Sequence, residues 1–242
     1  MKQVSNKKGF TLVEVLFAIG VGLLLLGAIY AVVQSGQKSS VSLERKVVAQ
    51  QDVRAALQMM SMEIRMASYN SNFETGFWLN SNCGNNPPPN PLYKGIQEAT
   101  AYSLTIEMDI DESSTIGDYP NEIIRYAYDG NNLFISRNSN CLGAQPFLGD
   151  DPASGVPRVV RVINDTNGNG VYDQGTDLPV FTYFDGAGNQ IPFASLPANI
   201  PNIRRIDITL QVETDEITPD TGQRKRMIYS TSVMARNHAT IQ

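Results

Sequence analysis

An unbroken apolar run close to the N-terminus is the strongest pattern in the chain. Residues 1–8 are polar and include three lysines, and after Gly9 the side chains from Phe10 to Val33 are almost all apolar. A helix of roughly 20 apolar residues spans a bilayer. Because basic residues before such a span stay in the cytoplasm, we expect the bulk of the chain on the other side of the membrane.

Two ordinary interpretations of this run are a secretory signal peptide and a plain signal anchor. A signal peptide has a shorter apolar core and a small-residue cleavage site, which this run lacks. A plain anchor fits the length but not Glu14, since an acid at the bilayer centre costs about 2.5–3.5 kcal/mol. Glu14 therefore needs a functional reason.

The segment Lys7-Lys8-Gly9-Phe10-Thr11-Leu12-Val13-Glu14 resembles the class III signal of type IV prepilins and type II secretion pseudopilins. The resemblance implies that a prepilin peptidase cuts between Gly9 and Phe10 and then methylates the new N-terminal Phe10. It also implies a single-pass inner-membrane subunit with a cytoplasmic N-terminus and a periplasmic head, which later reaches the pilus or cell surface. Membrane lipid, the inner-membrane assembly platform and other pilin subunits, contacted through the N-terminal helix, would be its further partners.

In that family the fifth residue of the mature chain is acidic, and Glu14 occupies this position. A buried carboxylate requires a cation or a hydrogen-bond donor. The free α-amino group of Phe10 in a neighbouring subunit is a suitable cation. The pair would form at only one axial stagger, so our hypothesis is that Glu14 fixes the register of assembly.

Helical character continues beyond the apolar run to about Tyr69, and the glycines of the run leave open whether the helix is continuous. One stripe at helical spacing predicts packing on the head, and consists of Val53, Leu57, Met60, Ile64 and Ala67. A second stripe predicts either contact with neighbouring subunits or burial in the chain's own core, and consists of Val48, Ala55, Met59, Met62 and Met66. Residues 50–67 are similar to the stem of PilW-type minor pilins and J-type minor pseudopilins.

Seven strands are predicted after a loop rich in Asn, Pro and Gly at residues 70–95. They are Ala101–Met108, Glu122–Tyr128, Asn132–Ser136, Arg158–Ile163, Val180–Phe184, Ile203–Glu213 and Arg226–Ala235. The turn Asp129-Gly130-Asn131 predicts a hairpin. Strands after one long helix indicate an α+β class, which agrees with the type IV pilin fold that the resemblance implies.

The predicted organisation has four parts. They are a cleaved leader at 1–9, a transmembrane and filament-core helix at 10–33, an amphipathic stem at 34–69 and a β-rich head at 70–242. The two cysteines, Cys83 and Cys141, both fall in the head and lack CxxC spacing. In an exported chain such a pair predicts one disulfide, with two free thiols as the alternative.

One loop in the head has the spacing of a calcium site. Asp165, Asn167 and Asn169 occupy positions 1, 3 and 5 of an EF-hand-like loop, with Gly170 at position 6. Further oxygen ligands would come from the carbonyl of Val171, from Asp173 and from Asp177. The alternative is an ordinary surface turn, because Asn, Asp and Gly are common turn residues. A second acidic stretch at 109–118 lacks this glycine and spacing, and we predict a solvated loop there.

Composition and motifs argue against an enzyme and against a nucleic-acid-binding protein. The net charge is −5 with no basic block beyond the N-terminus, whereas phosphate binding needs clustered Lys and Arg. No GxSxG, HExxH or P-loop motif occurs, and His238 lies too near the C-terminus to be expected in a triad. We therefore predict a minor pilin that primes or caps pilus assembly. The alternatives are a minor pseudopilin of a type II secretion system and, in a different class, a membrane-anchored periplasmic binding or sensor domain.

Overall fold

The computed structural model describes residues 9–72, 76, 78–79, 94–149, 160–214, 217 and 222–239. The chain divides into two units, the first ending at Arg45 and the second beginning at Lys46. One helix, α1, spans Leu12–Met66 and contributes to both units. It continues without interruption through Gly20, Gly22 and Gly27.

Helix α1 ends three residues before the predicted end at Tyr69. Ser68 adopts a left-handed backbone conformation with φ of 63°, which a helix cannot continue through. Its N–H donates to the carbonyl of Glu107 at 2.8 Å. The chain therefore leaves the helix by joining the end of a strand in the head.

The second unit contains two antiparallel sheets. The first sheet has five strands in sequential order: β1 (Ile96–Ala99), β2 (Ser103–Glu107), β3 (Ile123–Asp129), β4 (Phe134–Ser139) and β5 (Ala144–Leu148). The second sheet contains β6 (Val160–Val162), β7 (Phe181–Phe184), β8 (Arg205–Thr214) and β9 (Arg226–Met234). A short helix, α2 (Leu196–Asn199), lies between β7 and β8 and is flanked by single 3-10 turns.

Strand β8 is the centre of the second sheet. Strand β9 pairs with it along residues 205–213. On its other edge, β6 pairs with residues 212–214 and β7 with residues 205–208. The two short strands therefore share one edge of β8, and the chain between them leaves the sheet and returns to it.

The core of the head confirms the first stripe of α1. Its five members are buried together with the inward side chains of both sheets, and are Val53, Leu57, Met60, Ile64 and Ala67. The second stripe is exposed, and comprises Val48, Ala55, Met59, Met62 and Met66. The α+β class predicted from sequence is thus confirmed, and the arrangement is consistent with the type IV pilin fold.

A charged contact fixes the rotation of α1 against the first sheet. Arg137 on β4 donates to Glu63 of α1 at 2.7 Å, and the two side chains are both largely buried. The hydroxyl of the fully buried Tyr126 on β3 donates to the same carboxylate. Burial and the Glu63 carboxylate raise the pKa of Tyr126. Because a buried pair depends on its geometry, this contact favours one rotation of the helix.

Where the structure describes them, the predicted strands and the hairpin at Asp129 are confirmed with small shifts of their bounds, and residues 158–159 of one predicted strand lie outside the described residues. Two strands were not predicted. Strand β1 has only four residues, IQEA, which carry little β preference. Strand β5 contains Pro146, which argues against a central strand but is tolerated at a sheet edge, where β5 lies.

His238, close to the C-terminus in sequence, is buried, and both of its ring nitrogens are hydrogen-bonded. Nε2 lies 2.9 Å from the carbonyl of Ile200, which can only accept, so Nε2 carries the proton. Nδ1 then accepts from Ser68 Oγ at 2.8 Å. The C-terminal segment is thereby fixed to the residue where α1 ends. Burial, aided by the charges of Arg204 and Lys94, lowers the pKa of His238 to about 4.

Two methionines of α1 provide a matched test of this packing. Met60 is fully buried and Met62 is 59% exposed. We expect Met60→Ala to lower the free energy of unfolding by about 2–5 kcal/mol, and Met62→Ala to change it by less than about 0.5 kcal/mol. Urea unfolding of the detergent-solubilised chain, followed by Trp78 fluorescence, measures both. Equal losses would contradict the assignment of the buried stripe.

The buried His238 predicts a pH dependence of stability. The unfolded chain binds a proton near the ordinary value of 6.5 and the folded chain only near 4. The stability that depends on neutral His238 is therefore complete above pH 6.5 and is lost as the pH falls towards 4. At about 1.4 kcal/mol per unit of pKa, roughly 3 kcal/mol is involved.

The measurement is the free energy of unfolding of the wild type and of His238→Asn between pH 7 and pH 4. Carboxylates contribute equally to both curves, so the difference between the slopes isolates His238. Parallel curves would contradict the prediction.

Candidate functional site

The predicted cleavage site lies just before α1. Gly9 and Phe10 are exposed and precede the first helical residue, and the Phe10 side chain is 87% exposed. Residues 1–8 of the predicted leader lie outside the described part of the chain. The Gly9–Phe10 peptide bond is therefore exposed and lies outside the helix.

Glu14 closes the first turn of α1 with Thr11. The Thr11 N–H and hydroxyl each lie 2.9 Å from Glu14 Oε2, and the Glu14 N–H donates to Thr11 Oγ1 at 3.3 Å. This is a capping box, in which an N-cap threonine and a glutamate three residues later satisfy each other's backbone donors. Sequence reasoning missed it, although Thr-x-x-Glu before an apolar run is its signal.

The first unit exposes nearly all of its apolar side chains. Between Phe10 and Val33 no described residue is buried. One helix in the described part of the chain, α1, is long and apolar enough to cross a membrane. An apolar surface of this extent needs lipid or protein to cover it, which supports membrane anchoring.

The predicted calcium loop is the excursion between β6 and β7. Its entrance is fixed by Asn164, which is fully buried. The Asn164 amide nitrogen donates to the carbonyls of Leu178 and Thr209, and its oxygen accepts from the Gln211 N–H, at 2.9 to 3.0 Å. The hydrogen bonds of the Asn164 side chain therefore take the place of strand pairing between β6 and β7. They hold both ends of the loop on β8.

Inside the loop, the predicted ligand residues are held by hydrogen bonds within the loop itself. The carboxylate of the buried Asp165 accepts from the N–H groups of Gly168 and Gly170, both at 2.7 Å. The amide nitrogens of Asn167 and Asn169 donate to the same oxygen of Asp173, at 2.7 and 2.8 Å. The structure therefore brings together the side chains of positions 3, 5 and 9, while the side chain of position 1 holds the backbone of the loop.

Asp177 has a different place from these residues. Its two carboxylate oxygens accept from the N–H groups of Thr166 and Asp173, at 2.9 and 2.8 Å. The side chain is buried and spans the base of the loop. Val171 is exposed, and its N–H donates to Asn169 Oδ1 at 2.7 Å, next to Gly170, whose φ is 75°.

The hairpin of the first sheet lies against this loop. A Cβ atom on Gly130 would stand 2.3 Å from an Asp165 carboxylate oxygen, so a glycine is required there. The hydroxyl of Tyr128 on β3 donates to the Val162 carbonyl at 3.1 Å and accepts from the Asp165 N–H at 3.2 Å. Burial raises the pKa of Tyr128 to about 12, which keeps this hydroxyl protonated and able to donate.

The prediction of a solvated loop at 109–118 is wrong for Asp109, which is fully buried together with Glu122. Ligand atoms of Asp109, Asp111 and Glu122, here termed the second acidic group, lie within 4.8 Å of one another. Backbone N–H groups supply the compensation that a buried carboxylate needs. Glu122, for example, accepts from Ile110, Gly117 and Tyr119 at 2.8 to 3.2 Å. The fold thus buries Asp109 and Glu122 close to each other inside the head. Their spacing along the sequence did not predict this contact.

The cysteine prediction falls partly outside the described residues. Cys141 lies in an exposed turn after β4, with φ of 57°, and Cys83 is not among the described residues. The Cys83–Cys141 disulfide stays a prediction.

Comparison with known proteins identifies the N-terminal segment. Residues 4–30 match the family model described as the prokaryotic N-terminal methylation motif. The matched range contains Gly9, Phe10, the Thr11–Glu14 capping box and most of the apolar run. No curated protein and no solved structure matches the chain.

Proposed function

We propose that this chain, a type IV pilin-like protein by its N-terminal methylation motif, is a minor pilin that primes or caps assembly of a type IV pilus. The role is structural rather than enzymatic. The observation that carries the proposal is the matched motif at residues 4–30, within which the accessible Gly9–Phe10 bond stands immediately before an apolar helix with an acid in its first turn. A minor pilin is favoured over a major one by the large head and by the stem at residues 50–67.

The exposed apolar surfaces support assembly with other pilin subunits. Along the first unit these surfaces suit lipid before assembly and neighbouring helices afterwards. In the head, the exposed second stripe of α1 offers Met59, Met62 and Met66 to a neighbour. Methionine side chains adapt to irregular partner surfaces, which suits contacts between subunits that are not identical.

The proposed topology follows from charge and length. Lysines before the helix keep the N-terminus in the cytoplasm and place the head in the periplasm. At the cytoplasmic face of the membrane, the prepilin peptidase has access to the Gly9–Phe10 bond. The assembly platform of the inner membrane then extracts the processed subunit. The final location in this proposal is the pilus at the cell surface.

A minor pseudopilin of a type II secretion system would carry the same N-terminal segment. The two filaments differ in the assembly genes that the subunit requires. Deleting the gene for this chain should reduce surface pili and leave protein secretion unchanged. Normal pili with impaired secretion would assign the chain to the secretion filament instead.

We expect the mature chain to begin at N-methylated Phe10. N-terminal mass spectrometry of the protein from cells with and without the prepilin peptidase measures this, and Gly9→Val serves as an uncleavable control. Methylated Phe10 should be found only when the peptidase and Gly9 are both present. An intact Met1, or a cut elsewhere in both strains, would contradict the pilin function and favour an anchored sensor.

Two variants separate the charge of Glu14 from its role in the capping box. Glu14→Gln keeps a side chain that can close the box but removes the charge, whereas Thr11→Ala removes the cap and keeps the charge. If Glu14 pairs with the α-amino group of Phe10 in a neighbour, Glu14→Gln should be cleaved normally but should enter filaments about tenfold less than the wild type. Thr11→Ala should be incorporated nearly as well as the wild type.

Quantitative immunoblots of sheared filaments and of membranes measure this incorporation. Equal defects in the two variants would assign Glu14 to the helix cap alone. Wild-type incorporation of Glu14→Gln would remove the register hypothesis.

A further inference from the structure

A buried tyrosine hydroxyl without a partner lies beside the loop between β6 and β7. Tyr102, in the turn between β1 and β2, is 9% exposed, and its hydroxyl oxygen is inaccessible to solvent. No hydrogen bond of normal geometry reaches it within the described part of the chain. Leaving a buried hydroxyl unpaired costs free energy. We therefore expect a hydrogen-bond acceptor for this hydroxyl in its surroundings.

The surroundings of this hydroxyl are the acids of the loop. After burial itself, the charges of Asp177 and Asp165 are the main causes that raise the pKa of Tyr102. The ring of Tyr102 packs edge-on against Tyr172 of the loop, with centroids 5.8 Å apart, and against Tyr128, with centroids 5.0 Å apart. The hydroxyl therefore faces the buried acids of the loop, with Asp177 before Asp165 in its effect.

The loop itself combines three carboxylates with little compensation by cations. No ion pair within the described ranges involves Asp165, Asp173 or Asp177. Two of these acids, Asp165 and Asp177, are buried and are compensated by backbone N–H groups, which satisfy hydrogen bonding but do not neutralise the negative charge. Carboxylate, amide and carbonyl oxygens in a flexible loop are the ligands that Ca²⁺ prefers, whereas Mg²⁺ demands a tighter octahedron and keeps more of its water.

We propose that this loop binds one Ca²⁺ ion, and that the Tyr102 hydroxyl donates to a water molecule in the coordination shell of the ion. The protein ligands would be the oxygens at positions 1, 3, 5, 7 and 9 of the loop, those of Asp165, Asn167, Asn169 and Asp173 and the carbonyl of Val171. Asp177 is a positioning residue, because it lies outside the ligand spacing that begins at Asp165 and its carboxylate joins Thr166 to Asp173 across the base of the loop. Such outer partners of a metal site tune its affinity.

The site would act on the head through its position in the second sheet. Asn164 fixes the loop to β8, and Tyr128 and Gly130 fix it to the hairpin of the first sheet. An ion in the loop therefore connects the two sheets. This inference does not depend on the filament in which the chain acts.

Terbium luminescence of the full-length chain in detergent, after calcium removal, tests the proposal. Tb³⁺ replaces Ca²⁺ in oxygen sites, and Tyr172 and Tyr102 lie close enough to transfer excitation to it. We expect a tyrosine-excited Tb³⁺ signal that Ca²⁺ displaces far more readily than Mg²⁺. Absence of a signal that Ca²⁺ displaces would overturn the proposal.

Variants assign the signal to residues. Asp173→Asn should weaken Ca²⁺ competition by about tenfold or more, and Tyr102→Phe by about tenfold. Asp111→Asn, in the second acidic group, removes the same charge elsewhere in the head and should leave competition unchanged. Loss of binding in Asp111→Asn with retention in Asp173→Asn would move the ion to the second acidic group and overturn the proposal.

Thermal melting in chelator controls for folding. Without calcium, Asp173→Asn and Tyr102→Phe should melt no more than a few degrees below the wild type. When calcium is added, only the wild type should show the full rise in melting temperature. Tyr102→Phe removes an unpaired hydroxyl while keeping the ring, so its calcium-free midpoint should not fall. Wild-type calcium affinity in Tyr102→Phe would overturn the part assigned to the hydroxyl.

Discussion

The buried stripe of α1 is the contact on which the head depends. Val53, Met60 and Ile64 are fully buried and belong to one cluster with the inward side chains of both sheets. Two small antiparallel sheets have too little surface to cover each other fully. The second half of the helix supplies the missing apolar face, so the head cannot be separated from its stem without opening its core.

That burial has a consequence for the rest of the helix surface. Once the stripe is inward and Glu63 is paired with Arg137, the rotation of α1 within the head is fixed. Met59, Met62 and Met66 must then face outward. Turning the helix to bury these methionines would break a largely buried ion pair, which is strongly unfavourable. The exposed stripe is therefore a result of the core rather than an independent choice.

Sequence patterns predicted the parts of this structure that depend on local periodicity. The strand signal at Ile203–Glu213 predicted β8, and the spacing of Val53, Leu57 and Met60 predicted the inward face of α1. The loop at Asp165, Asn167 and Asn169 was predicted because the spacing of its polar residues and glycines is also a local pattern. Each of these signals lies within a short segment of chain.

Features that depend on contacts between distant segments were not predicted. His238 is bonded to Ser68, which lies 170 residues away along the chain, and no pattern near the C-terminus indicates that bond. Tyr102 approaches the loop only because the turn after β1 packs beside Tyr172. Glu122 joins Asp109 through a long turn. Linear spacing carries no information about such pairs, since the folded sheets alone determine which turns meet.

Glu14 shows how one residue can satisfy both the single chain and an assembly. In the single chain the carboxylate accepts two hydrogen bonds from Thr11. They satisfy hydrogen bonding but leave the negative charge without a counterion, which is unfavourable in a medium of low dielectric constant. The α-amino group of Phe10 in a neighbouring subunit would supply the positive charge that Thr11 cannot. The capping box thus makes Glu14 tolerable before assembly while leaving a reason for it to prefer a cationic partner afterwards.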